Sequence, residues 1–128
     1  MPRPVRLMTV DDQPDFGAAA RAIVARTPGF ELVGQPRDGV TALREAAELD
    51  PDMVIVDVRM PGMDGVELAD RLRAADRTRV VVLATTVDTH ALAPLARACG
   101  AAALVHKQWL TPRLLRGLWV AHRRRRAW

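Results

Sequence analysis

Apolar positions along the chain form short unbroken runs, separated by longer stretches in which they recur every three or four residues. The run Val5–Val10 (VRLMTV) predicts a first strand, ended by Asp11, Asp12 and Pro14. Phe16, Ala20, Ile23, Val24 and Thr27 then share one helical stripe, closed by Pro28 and Gly29. Phe30–Gly34 predicts a second strand, and DGVTALREAAEL a helix with Val40, Leu43 and Ala47 inward, Ala46 beside them, before Asp50 and Pro51 break it. A third strand is expected at Met53–Asp57, followed by a helix marked by Val66, Leu68, Ala69 and Leu72. Residues 79–84 read as a fourth strand, 91–99 as a helix closed by Gly100, and 102–106 as a fifth strand. The last helix, about Pro112–His122, carries Leu114, Leu115, Leu118 and Trp119. Five strand and helix pairs in strict alternation imply a parallel sheet covered on both faces, a doubly wound α/β domain.

Length and charge narrow the class. A chain of 128 residues is about one domain and buries a sizeable core without disulfides. Residues 1–122 are expected to form that domain and 123–128 a basic tail or the start of a linker. The single cysteine, Cys99, forms no internal disulfide, no Cys/His cluster has zinc spacing, and the opening MPRPVRLMTVDD lacks a signal-like apolar region. Runs such as VVVLA (80–84) and AAALV (101–105) are too short to cross a bilayer, so a cytoplasmic chain without membrane spans is expected. The net charge is +4, and the arginines at 123–126 supply an equal charge, so the body is neutral. Such a tail is a weak pointer to phosphate-rich partners.

The stretch VIVDVRMPGMDG (54–65) raises a chemical question, because a strand buried on both faces ends in the carboxylate of Asp57. Ligands of open parallel sheets bind beyond the carboxyl ends of the strands, where the strand order reverses. Asp11 and Asp12 follow the first strand, Asp57 ends the third, Thr85 and Thr86 follow the fourth, and Lys107 follows the fifth. Three carboxylates kept ionised together call for a cation, and oxygen ligands of this kind suit Mg²⁺, or Mn²⁺ in its place. Lys107 adds a point charge for a phosphoryl oxygen and Thr85 a hydroxyl donor, so a carboxylate among them can act as the nucleophile that forms an acyl phosphate. Asp57 is the best placed.

Together VDDQ (10–13), VDVRMPGMDG (56–65), LATT (83–86) and GAAALVHK (100–107) resemble the receiver domain of two-component response regulators, over about residues 5–120. The resemblance implies the flavodoxin-like fold, and Asp57 as acceptor of a phosphoryl group from a histidine kinase. It implies Mg²⁺ held by Asp11, Asp12, Asp57 and the backbone carbonyl of Arg59, with Thr85 and Lys107 on the phosphate. The domain would catalyse its own phosphorylation and a slow hydrolysis rather than act as a conventional enzyme. Thr86 offers the same group as Thr85, but the spacing to Lys107 favours Thr85. Helix capping by Asp11 and Asp12 is the plain alternative to metal binding. His90, His106 and His122 read as structural or surface groups.

The departures from the family pattern concern output. Leu104 stands where receivers carry a Tyr or Phe that swings inward, and it has neither the reach nor the polar tip. Gln108 follows the lysine where many receivers have proline, a trait of those attached to helix-turn-helix DNA-binding domains. Thr86 replaces a small residue beside the switch hydroxyl, and neither Phe16 nor Phe30 lies near the site in sequence. Val87 cannot orient an attacking water, and Arg59 could reach the phosphoryl oxygens, which together point to slow self-dephosphorylation. Trp109 and Trp128 are interface candidates and Trp119 reads first as core packing, while the face of the fourth helix, fifth strand and last helix, with Leu92, Leu95, Leu104, Trp109 and Trp119 as candidates, is the expected dimer or partner contact. The alternative reading is a degenerate receiver, a phosphorylation-independent interaction module. A phosphohydrolase fits less well, since no second acid follows Asp57 and no cap domain fits the length. DNA is expected only through an attached output domain.

Overall fold

The computed structural model describes residues 3–87 and 89–123. Five strands, β1 (Val5–Val10), β2 (Phe30–Gly34), β3 (Met53–Asp57), β4 (Val80–Thr85) and β5 (Ala103–His106), alternate with helices α1 (Pro14–Ala25), α2 (Gly39–Leu49), α3 (Gly65–Ala75), α4 (Thr89–Ala98) and α5 (Pro112–His122). The strands form one parallel sheet in the order β2-β1-β3-β4-β5. The doubly wound arrangement expected from the alternation is present. Arg124, Arg125, Arg126 and Trp128 lie outside the described residues.

Strands β3 and β4 are buried at every position, which is why their sequences are continuous apolar runs rather than alternating ones. Side chains still alternate between faces: Met8, Val10, Val54, Val56, Val81 and Leu83 pack against α2, α3 and α4. Leu7, Met53, Ile55, Val80 and Val82 pack against α1 and α5. Deleting one of these buried side chains, as in Leu7→Ala, costs about 2–5 kcal/mol. Asp38, Asp64 and Thr111 cap α2, α3 and α5 by accepting from the amides of Thr41, Glu67 and Leu114. Among the described residues no helix is long and apolar enough to cross a membrane.

Two local expectations need correction. On α2 the inward stripe is Gly39, Ala42 and Ala46, with Leu43 packed beside them as expected, while Val40 is 69% exposed and Ala47 is exposed. The reason is tertiary: an added Cβ on Gly39 would lie 2.8 Å from Met63 Sδ, so the smallest side of the helix is turned toward the loop before α3. Arg79 precedes β4 instead of opening it. Its buried guanidinium donates to the carbonyls of Pro51 (3.1 Å) and Leu72 (3.3 Å) and to Asp50 Oδ1 (3.3 Å).

Candidate functional site

The strand order reverses between β1 and β3, since β2 lies on one side of β1 while β4 and β5 extend beyond β3. A crevice is expected at the carboxyl ends of that pair. Asp11 and Asp12 leave β1 there and Asp57 is the last residue of β3. One carboxylate oxygen from each of the three lies within 4.8 Å of the others. Gly65 fits its backbone against the same strand end: an added Cβ would sit 2.0 Å from the Asp57 carbonyl oxygen.

Asp57 is buried, and its Oδ1 accepts from the Arg59 amide at 3.1 Å. Its Oδ2 accepts from Lys107 Nζ at 3.2 Å. Burial is the main reason that its pKa is raised, with the Asp11 charge acting the same way against the Arg59 amide and the Lys107 ammonium. Asp11 Oδ1 accepts from the Gln13 amide at 2.8 Å. Asp11 Oδ2 lies 2.5 Å from Lys107 Nζ as an ion pair whose angles miss those of a hydrogen bond. Arg37 donates to the Asp12 carbonyl at 3.1 Å.

Lys107 is thus the cation between the carboxylate of Asp11, which follows β1, and that of Asp57, which ends β3, and its ammonium also stands 4.8 Å from the centre of the Phe16 ring. The sequence reading set Phe16 on the stripe of the first helix and apart from the site, because nothing local links position 16 to position 107. The only signal was its place in the first turn of the helix that follows the two aspartates.

Thr85 ends β4, buried, and its hydroxyl accepts from the Val87 amide at 3.1 Å. Thr86 is exposed, and its carbonyl lies 2.9 Å from His106 Nε2. Arg59 is exposed, and its amide faces Asp57. Leu104 and Leu92 pack on the α2, α3 and α4 face, whereas Trp119 packs on the α1 and α5 face. Trp109 is 65% and Leu95 50% exposed. The five candidate output residues therefore divide between two buried clusters and the surface.

The three carboxylates outnumber the one ammonium among them. A hard divalent cation would relieve that excess of negative charge, so the residues present fit Mg²⁺.

Comparisons with known proteins agree with this geometry. The family described as "Response regulator receiver domain" matches residues 7–118. The chain belongs to that family. It is 38% identical over 105 residues to "Protein-glutamate methylesterase/protein-glutamine glutaminase 5" of Myxococcus xanthus, covering 81% of this chain and 30% of the relative. It is 31% identical over 84 residues to "Nitrate/nitrite response regulator protein NarL" of Escherichia coli K12, covering 65% of this chain and 39% of that protein. The chain thus spans well under half the length of either relative. Among solved structures, the signal receiver domain of the putative response regulator NarL from Mycobacterium tuberculosis superposes with a TM-score of 0.84 at 28% identity, over 94% of this chain and 98% of that one.

Proposed function

We propose that the domain is a phosphorylation-driven signalling receiver in which Asp57 accepts a phosphoryl group from a histidine kinase. The observation that carries this reading is Asp57 itself: a buried strand-end carboxylate at the reversal of strand order, beside two further aspartates and one lysine. An Asp57 carboxylate oxygen attacks the phosphorus of a phosphoimidazole, the P–N bond breaks, and the imidazole leaves with the bond electrons and takes up a proton. The product is an acyl phosphate. Mg²⁺ held by Asp11, Asp12, Asp57 and the Arg59 carbonyl would neutralise charge on the phosphoryl oxygens. Lys107, already beside Asp57, shifts its hydrogen bond to the new phosphoryl group, and the Thr85 hydroxyl donates to it. Hydrolysis is slow, because the half-buried Val87 offers no group to orient water.

The two relatives named above have different outputs, so the reading of output comes from this chain's own residues. Gln108 after the lysine supports attachment to a helix-turn-helix DNA-binding segment, and we propose beside it dimerisation through α4, β5 and α5 and a cytoplasmic setting. The 65% exposure of Trp109 and 50% exposure of Leu95 support that face. Sedimentation giving a monomer with and without phosphorylation would exclude the dimer.

The test is incubation with acetyl phosphate, reading intact mass for wild type and Asp57→Asn. A gain of about 80 Da, one phosphoryl group, is expected in wild type with Mg²⁺ only. No gain, where a control receiver is modified, would favour the phosphorylation-independent interaction module.

A further inference from the structure

The imidazole of His106 holds two neighbouring segments at once. Its Nδ1 accepts from the Gln108 amide at 3.3 Å, and its Nε2 lies 2.9 Å from the Thr86 carbonyl. A backbone N–H can only donate and a carbonyl can only accept, so the two contacts together match the tautomer with its proton on Nε2, and both nitrogens are used. The first contact caps the 3-10 turn Lys107–Trp109, and the second restrains the loop between β4 and α4.

The same loop is held from inside by Thr85, whose hydroxyl accepts from the Val87 amide at 3.1 Å. Thr85 and His106 are register partners, one step beyond the pair Leu83 and Leu104 on the face of α2, α3 and α4. A hydroxyl that accepts from Val87 can still donate its proton elsewhere. Any displacement of Thr85 toward a group on Asp57 therefore carries the Val87 amide with it. The Thr86 carbonyl, which lies between the two, must move as well, and it is bonded to His106.

We propose that His106 is the positioning residue that transmits the state of Asp57, through Thr85 and the Thr86 carbonyl, to the turn bearing the exposed Trp109. This rests on the phosphoacceptor reading of Asp57. Leu104, on the same face of β5, has no polar atom with which to hold that loop. His106 supplies the missing hydrogen bond from two residues further along the strand. The signal then leaves the domain at Trp109, which is 65% exposed and follows the residue whose amide His106 caps.

The test labels the full chain with 5-fluorotryptophan, assigns the Trp109 resonance by its loss in Trp109→Phe, and follows it with Mg²⁺ and acetyl phosphate while intact mass reports modification. In wild type the Trp109 resonance is expected to shift in proportion to the modified fraction. In His106→Leu the mass gain should persist and the shift be lost. In His106→Gln, whose amide can still donate to the Thr86 carbonyl, at least half of the shift should return. A modified wild type with an unmoved Trp109 resonance, or a modified His106→Leu with the full shift, would overturn the role of His106 and leave the phosphoacceptor reading standing. A wild type that stays at its unmodified mass would overturn both.

Discussion

The Lys107 ammonium stands 4.8 Å from the centre of the Phe16 ring while it bonds Asp57 Oδ2 at 3.2 Å and pairs with Asp11. The aromatic face is a third attraction, supplied by α1, the helix that follows the two aspartates. For a largely desolvated ammonium such a contact contributes roughly 0.5–2 kcal/mol. A double-mutant cycle of Phe16→Leu and Lys107→Met is expected to show a coupling of about 1 kcal/mol in denaturant unfolding. Phe16→Leu should also slow modification by acetyl phosphate, since the lysine loses one of its positioning contacts. Additive stability effects would remove Phe16 from the site.

Asp57→Asn separates the cost of the acidic cluster from its use. Burial raises the Asp57 pKa, followed by the Asp11 charge, against the Arg59 amide and Lys107. A carboxyl whose folded pKa exceeds its unfolded value contributes stability below the unfolded pKa and loses it as pH rises through the folded one. Ionised Asp57 therefore destabilises the metal-free domain at neutral pH, and Asp57→Asn is expected to raise its thermal midpoint there. Mg²⁺ should reverse the order, stabilising wild type by about 1.4 kcal/mol at tenfold its Kd and the variant less. Calorimetry in chelator and in Mg²⁺ reads both. Equal Mg²⁺ stabilisation of the two proteins would place the ion elsewhere.

Gly65 is a position where the fold leaves no room beside Asp57. A Cβ there would lie 2.0 Å from the Asp57 carbonyl oxygen and 2.8 Å from Val58 Cα, both backbone atoms that cannot rotate away. Gly65→Ala is expected to cost on the order of 3 kcal/mol, as an overpacked site next to a buried strand end. Surviving folded protein should be modified more slowly, because the Asp57 backbone has moved. A thermal midpoint equal to wild type would show that α3 shifts without strain. The comparison variant is Gly117→Ala, where an added Cβ meets nothing within 4 Å.

What was legible in the sequence follows from what is local. β3 reads as a strand because both of its faces are buried and every residue from Met53 to Val56 is apolar. Asp57 stands out because it breaks that run at its carboxyl end. The other strand-end residues could be gathered by topology alone, since a doubly wound sheet brings Asp11, Asp12 and Lys107 to one edge. The phase of α2 was not legible: Val40, Ala42, Ala46 and Ala47 offer two apolar stripes, and the contact of Gly39 with Met63 chooses between them. Phe16 beneath Lys107 and His106 against Thr86 were hidden for the same reason. Each joins elements whose juxtaposition depends on the packed sheet, and neither side chain announces its partner.

Asp38, the cap of α2, gives a pH signature of its own. The amide of Thr41 donates to its carboxylate at 2.8 Å and the Thr41 hydroxyl at 3.0 Å, and these bonds, the amide first, lower its pKa. With the folded pKa depressed, the stabilisation is present above the unfolded pKa and is lost as pH falls through the folded one. Asp38→Asn keeps a cap acceptor that does not titrate. Wild type is therefore expected to lose stability relative to Asp38→Asn as pH falls through the acid carboxylate range, with the two converging to a constant difference above it. Parallel stability curves across that range would show that the cap bond does not distinguish the charged from the neutral side chain.

The lifetime of the acyl phosphate tests the chemistry at the loop after β4. Val87 is half-buried there, and its amide is tied to the Thr85 hydroxyl at 3.1 Å, so its side chain leaves the loop from a fixed backbone. An isopropyl group can neither accept a proton from water nor hold a water in line with the Asp57 phosphoryl. A carboxylate at the same position can do both, and positioned general bases raise rates by roughly a hundredfold or more when their geometry is right. Val87→Glu is expected to accelerate loss of the phosphoryl group by about tenfold, less than that limit because the new side chain is not held by partners of its own. Decay of the modified mass after removal of acetyl phosphate gives the rate directly. Val87→Gln separates the two contributions, since it can hold a water without taking its proton. If Val87→Glu and wild type decay at the same rate, water reaches the phosphoryl group by another side of the site, and the exposed Arg59 becomes the residue to change next.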